Sequence, residues 1–82
     1  MKKNNNAIKT YFESSDLHLV AAISLFFQIK DVDKSNPRRA VFKFAESDEL
    51  HSLVDQYWSG ALKLDALRYS QNLKSLKNRI LQ

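Results

Sequence analysis

An eleven-residue run of almost unbroken apolar character, residues 17–27, constrains the fold of this chain more than any other feature. On a helix, with about 100° per residue, this run leaves no polar face, so the helix must be covered on every side. The run is much shorter than the roughly 20 apolar residues that span a bilayer, and we therefore predict no membrane segment. Its cover is either the remainder of a small domain or a second copy of the chain.

Length and composition predict one folded domain. The 82 residues are 44% hydrophobic and 27% charged, a balance typical of globular chains. The absence of Cys excludes a disulfide scaffold and thiol chemistry, and it favours a reducing, cytoplasmic location. We expect residues 1–8 to be a disordered basic and polar tail and residues 9–82 to form a single α+β domain.

The apolar patterns predict three strands and three helices. Three segments rich in β-forming residues or in period-two alternation are predicted strands: residues 9–13, 27–30 and 39–45. Three segments with helical periodicity are predicted helices: residues 16–26, 47–59 and 65–82. The element order is then β-α-β-β-α-α. We predict an α+β fold in which a small three-stranded antiparallel sheet packs with three helices.

Cap residues and side-chain spacing refine this prediction. Ser14 or Ser15 is expected to cap helix one, Ser47 helix two and Asp65 helix three, and Gly60, the only Gly, ends helix two. Inward positions of strand three are Ala40, Phe42 and Phe44. The inward stripe of helix two is Leu50, Leu53, Val54, Tyr57 and Trp58. The inward stripe of helix three is Ala66, Tyr69, Leu73, Leu76 and Ile80.

Four cations lie at the predicted hairpin between strands two and three: Lys34, Arg38, Arg39 and Lys43. Guanidinium groups bind phosphate and carboxylate oxygens bidentately, so these residues are our candidate contacts for nucleic acid or an acidic protein. The alternative is a solvated loop that Asp31 and Asp33 partly neutralise. A formal net charge of +4 is compatible with both interpretations.

Other charged groups carry weaker signals. Asp48, His51 and Asp55 share one helix face, a spacing that can suit a metal, but acids are ordinary near a helix start. One Gly and two His leave no Gly-rich phosphate loop and no serine-nucleophile elbow. The cations of the last helix, Arg68, Lys74, Lys77 and Arg79, invite a nucleic-acid interpretation, but they flank its apolar stripe on both sides, which favours a solvated amphipathic helix over groove binding. We predict no catalytic residue, no metal and no cofactor, and thus no enzyme.

Several short motifs occur in a fixed order along the chain. They are residues 11–17 (YFESSDL), residues 21–22 (AA), residues 35–39 (SNPRR) with 42–44 (FKF), and residues 57–60 (YWSG). Together they resemble a small bacterial family of unknown function, domain of unknown function 5659. The resemblance covers most of the chain and implies a compact stand-alone domain, without an activity or functional residues to carry over. The family pattern has Gly where helix one ends, and this chain has Phe26 there.

Two hypotheses of different classes follow. The first is a small non-enzymatic accessory module that contacts nucleic acid through the basic hairpin and the tail residues Lys2 and Lys3, with an affinity that falls steeply with salt. The second is a protein-protein interaction module, either a homodimer or a small inhibitor of an acidic protein partner of the mobile-element type. The second hypothesis predicts a contiguous exposed apolar patch.

Overall fold

The computed structural model describes residues 10–81. Its strands are β1 (Tyr11–Ser14), β2 (Ile29–Asp33) and β3 (Val41–Ala45), and its helices are α1 (Leu17–Ile23), α2 (Asp48–Ser59) and α3 (Ala66–Ile80). The predicted α+β class and the order β-α-β-β-α-α are confirmed. The predicted tail, residues 1–8, and the predicted first residue of strand one, Lys9, lie outside the described residues. Within residues 10–81, no helix has the length and apolar character to cross a membrane.

The antiparallel sheet has the strand order β1-β3-β2, so the last strand in sequence is the central one. Phe44 of β3 lies opposite Phe12 of β1 and Ile29 of β2. Side chains alternate between the two faces of a sheet, and Phe42 and Phe44 are completely buried on the face that packs against the helices. This confirms the predicted inward positions of strand three.

Helix α1 is enclosed by the described chain itself. Residues 19–23 are all buried, and all of them except Ala22 form one core with the Phe42 side of the sheet, with Leu50 of α2 and with Leu76 of α3. The cover that an apolar helix requires therefore comes from within one chain.

The end of α1 and the course of β2 differ from the predictions. Helix α1 ends at Ile23, three residues early, and Phe26 lies in the following turn, where it is 54% exposed. Ser24 closes the helix with right-handed backbone angles, so this end needs no glycine in the left-handed region. Strand β2 begins at Ile29 and continues to Asp33, across a register shift between Ile29 and Asp31. That shift restores Val32 to the inward face, opposite Phe42.

Helix capping is confirmed for α2 and α3 and corrected for α1. The Oγ of Ser47 accepts a hydrogen bond from the Leu50 amide at 3.0 Å, and Asp65 caps α3 in the same way. Gly60 ends α2 with a φ of 79°. The cap of α1 is Asp16, whose carboxylate accepts the amide hydrogens of the first helical turn, because Ser14 instead accepts the Asp16 amide hydrogen.

The apolar stripes of α2 and α3 are narrower than predicted. Trp58 is 65% exposed and Ala66 is exposed as well, so both predicted inward positions are wrong. Each lies at the end of its helix, where the chain leaves the core. The remaining stripe residues are buried or half-buried against the core.

Candidate nucleic-acid interface

The β2–β3 loop, residues 34–40, is held in shape by its own side chains. Asp33 accepts the amide hydrogen of Ser35 at 2.9 Å, and Asn36 accepts that of Arg38 through its side chain, also at 2.9 Å. The Arg39 amide donates to the Asn36 carbonyl oxygen at 3.1 Å. Such local bonds are the usual way in which Asp and Asn stabilise turns. They fix the backbone from which Arg38 and Arg39 project.

Asp33 places a negative charge at the base of this loop. The hydrogen bond from the Ser35 amide lowers the pKa of the Asp33 carboxyl, with smaller contributions from the Ser35 hydroxyl and from the charge of Lys43. Asp33 is therefore ionised at neutral pH, and its charge lies next to the loop cations in sequence.

Three of the four predicted site residues lie on the loop, and their side chains diverge. Lys34 Nζ donates to the Arg79 carbonyl oxygen at 2.9 Å, which directs it to the C-terminal end of α3. Arg39 Nε donates to Ser15 Oγ at 2.9 Å, at the junction of β1 and α1. The Arg38 side chain is exposed and has no hydrogen bond or ion pair with any residue in 10–81.

Lys43, the fourth predicted residue, lies on the sheet and not on the loop. It is in the middle of β3, on the face opposite Phe42 and Phe44, with Glu13 of β1 and Asp31 of β2 beside it in register. Opposite charges on neighbouring strands attract each other, so the acids partly compensate the charge of Lys43. The structure thus separates Lys43 from the loop cations.

Helix α3 contributes further cations, for which the sequence favours solvation over groove binding, and its C-terminal end lies next to the loop. Its residues 66–80 include four cations and no acid: Arg68, Lys74, Lys77 and Arg79. The contact between Lys34 and the Arg79 backbone brings the C-terminal end of this helix to the loop. The sequence signal that points to this surface is the absence of Asp and Glu after Asp65.

Acidic residues are concentrated on a different element. Helix α2 and the residues before it carry Glu46, Asp48, Glu49 and Asp55. His51 forms an ion pair with Glu46, with 2.7 Å between Nε2 and Oε1, when it is protonated. In the described part of the chain, no group of three or more His, Asp or Glu is arranged to hold a metal.

An apolar groove is the second surface of note. It has a volume of about 550 Å³ and lies between the turn after α1 and helix α2, where Phe26, Phe27, Leu53 and Leu62 line it. Glu49 and Lys63 contribute charges to its lining. Phe26 and Trp58 are large apolar side chains that remain more than half exposed.

Comparison with known proteins gives one family. A family model described as Domain of unknown function (DUF5659) matches residues 5–82. No curated protein and no solved structure gives a significant match. The match confirms the resemblance that the ordered motifs indicate.

Proposed function

The chain belongs to the family Domain of unknown function (DUF5659), and we propose that it is a small binding module that contacts nucleic acid through its β2–β3 loop. One observation carries this proposal. Arg38 and Arg39 are consecutive residues of a loop that is fixed by hydrogen bonds, and no carboxylate among the described residues lies within 4 Å of either guanidinium group.

Two features of the loop favour phosphate as its ligand. A guanidinium group presents parallel N–H donors that match two phosphate oxygens, and such charge-assisted pairs are about twice as strong as neutral ones. The fixed backbone lowers the conformational entropy that binding would otherwise cost. Lys34 adds a third positive charge on the same loop.

Salt-dependent binding of a labelled, mixed-sequence duplex tests the proposal. Each phosphate that is neutralised adds roughly 0.9 to the magnitude of the slope of log K against log salt. We therefore expect the double variant Arg38→Ala/Arg39→Ala to lower this magnitude by about 2 and to weaken binding at least tenfold at low salt. Lys30→Ala/Lys63→Ala removes the same charge from exposed positions outside the loop and is the matched control.

Comparison of the two double variants separates binding by the β2–β3 loop from general electrostatic attraction to the positively charged chain. Equal losses in the two double variants would mean that only net charge matters, and the loop would then have no special role. A wild-type chain that takes up no duplex and no single strand at low salt would contradict the proposal altogether.

A second candidate function has its own observation. The groove lined by Phe26 and Phe27 is open, and apolar surface of this kind is typical of protein contacts. We propose as the alternative a protein-interaction module, either a homodimer or a binder of an acidic protein. Light scattering after gel filtration tests the homodimer: a salt-insensitive dimer that Phe26→Ser converts to monomer would favour it, whereas a wild-type monomer at all concentrations would contradict it.

A further inference from the structure

Helix α3 packs on the domain along one side only. Tyr69, Leu73, Leu76 and Ile80 face the core, and the Asn72 side chain donates to the Ala21 carbonyl oxygen of α1 at 3.0 Å. The opposite side is exposed, and its polar residues are Arg68, Gln71, Lys74, Ser75, Asn78 and Arg79. The turn after α1 borders this outward face at one edge, where Ser24 and Leu25 line a hollow together with Arg68 and Gln71.

The outward face has a three-part order of side chains. With about 100° per residue, Gln71 and Asn78 lie within about 10° of the line directly opposite the buried stripe. Arg68 and Arg79 lie about 70° and 90° to one side of that line. On the other side, Lys74 lies at about 50° and Lys77 at about 110°. The exposed Leu67 lies about 30° from the line on the side of Lys74. Two amides and this leucine therefore occupy the centre, with Arg68 and Arg79 on one flank, Lys74 on the other, and Lys77 at the edge of that second flank nearest the domain.

This order matches the major groove of a DNA duplex. The groove presents base edges in its centre and a phosphate backbone on each side, and it is about 12 Å wide, which admits an α-helix. Gln and Asn amides pair bidentately with the N6 and N7 of adenine. In the sequence alone, cations that do not form one stripe favour solvation over groove binding, but cations on both flanks are what a helix between two phosphate backbones requires.

Length and charge agree with this placement. The 15 residues of α3 extend for about 22 Å, and none of them is acidic. A shallow hollow lined by Gln71, Lys74, Ser75, Asn78 and Arg79 lies along the exposed face. The Lys34 contact with the Arg79 carbonyl oxygen brings the β2–β3 loop to the C-terminal end of the helix, where it can meet the adjacent phosphates.

The distribution of aromatic residues favours a duplex over a single strand. Proteins that bind single strands stack the bases on exposed aromatic side chains. The exposed aromatic residues Tyr11, Phe26 and Trp58 belong to β1, the turn after α1 and α2. In the described chain, neither the outward face of α3 nor the β2–β3 loop presents one.

We infer that α3 is a groove-reading helix for duplex DNA, in which Gln71 and Asn78 face base edges while the flanking cations hold the two phosphate backbones. The inference rests on the proposed nucleic-acid function, and it assigns that function a ligand class and a reading element. It also implies sequence preference, which a loop that contacts only phosphates does not supply.

Selection from a pool of duplexes with a randomised core, followed by binding measurements on the full chain, tests the inference. We expect the wild type to recover a short motif that includes an A·T pair. Gln71→Ala/Asn78→Ala should reduce the preference for this motif over a scrambled duplex by about tenfold or more and leave affinity for the scrambled duplex within about twofold. Arg68→Gln/Lys74→Gln should weaken binding to both duplexes and lower the salt slope by about 2.

Controls make the result specific to α3. Lys30→Gln/Lys63→Gln removes two exposed cations elsewhere and should change the salt slope less than the α3 flank variant does. All substituted residues are exposed, and unchanged circular dichroism and melting temperature verify that each variant is folded.

Failure of this inference is distinguishable from failure of the proposed function. If Arg38→Ala/Arg39→Ala weakens duplex binding while both α3 variants bind like the wild type, the loop function stands and the groove-reading role of α3 is wrong. No recovered motif, or an equal affinity for a single strand of the same length, also overturns the inference. A wild type that binds neither duplex nor single strand at low salt removes both proposals.

Discussion

Asn72 ties α3 to the C-terminal end of α1 by hydrogen bonds. Its amide donates to the Ala21 carbonyl oxygen and to the Ser24 hydroxyl, in a half-buried position that helix periodicity alone marks only as polar. Replacement by Leu keeps the approximate volume and removes the donor. We expect Asn72→Leu to lower the free energy of unfolding by about 1–2 kcal/mol in urea denaturation. Asn78→Leu, on the exposed side of the same helix, is the control and should change it by about 0.5 kcal/mol or less. Equal effects of the two variants would show that the interhelical bonds add no stability.

The N-terminus of α2 depends on one hydroxyl group. Ser47 Oγ accepts the Leu50 amide hydrogen, and Asp48 and Glu49 place negative charge at the positive end of the helix dipole. Ser47→Ala should therefore lower the free energy of unfolding by about 1 kcal/mol, measured by chemical denaturation. Ser52→Ala, on the exposed surface of the same helix, should have a much smaller effect. A Ser47 variant as stable as the Ser52 variant would rule out the cap as a determinant of α2.

The types of the helices and strands were predictable because periodicity and caps are local properties of the sequence. The errors concern element boundaries and side-chain contacts, which depend on residues far apart in the chain. Period-two alternation ends at Lys30, but pairing with β3 across a register shift extends β2 to Asp33. In the candidate site, the position of the loop was predictable from Asn36, Pro37 and the neighbouring cations. The contacts of Lys34 with Arg79 and of Arg39 with Ser15 join residues 45 and 24 positions apart, which no local pattern encodes.

The three helices of the molecule come together near Asp16. Tyr57 of α2 and Tyr69 of α3 both lie close enough to this cap residue of α1 to feel its charge, and the Tyr69 hydroxyl lies 3.3 Å from His18 Nδ1. Burial, with a further contribution from Asp16, raises the pKa of both tyrosines above 10.0, their ordinary value. The neutral phenols are therefore favoured in the folded chain more than in the unfolded one.

This linkage predicts a loss of global stability at alkaline pH. As the pH rises, tyrosines of the unfolded chain release their protons before those of the folded chain, because the folded-state pKa is raised. The stability that this difference contributes is complete below pH 10.0 and is lost as the pH rises through the folded-state pKa. We expect the free energy of unfolding to fall above about pH 10, and Tyr57→Phe/Tyr69→Phe to make this fall shallower. Denaturant titrations at several pH values measure the slope, and Tyr11→Phe on β1 is the control for loss of a phenol at an exposed site. The difference in slope between the two variants is the quantity that decides. Identical slopes would mean that the junction of α1, α2 and α3 does not couple tyrosine ionisation to folding.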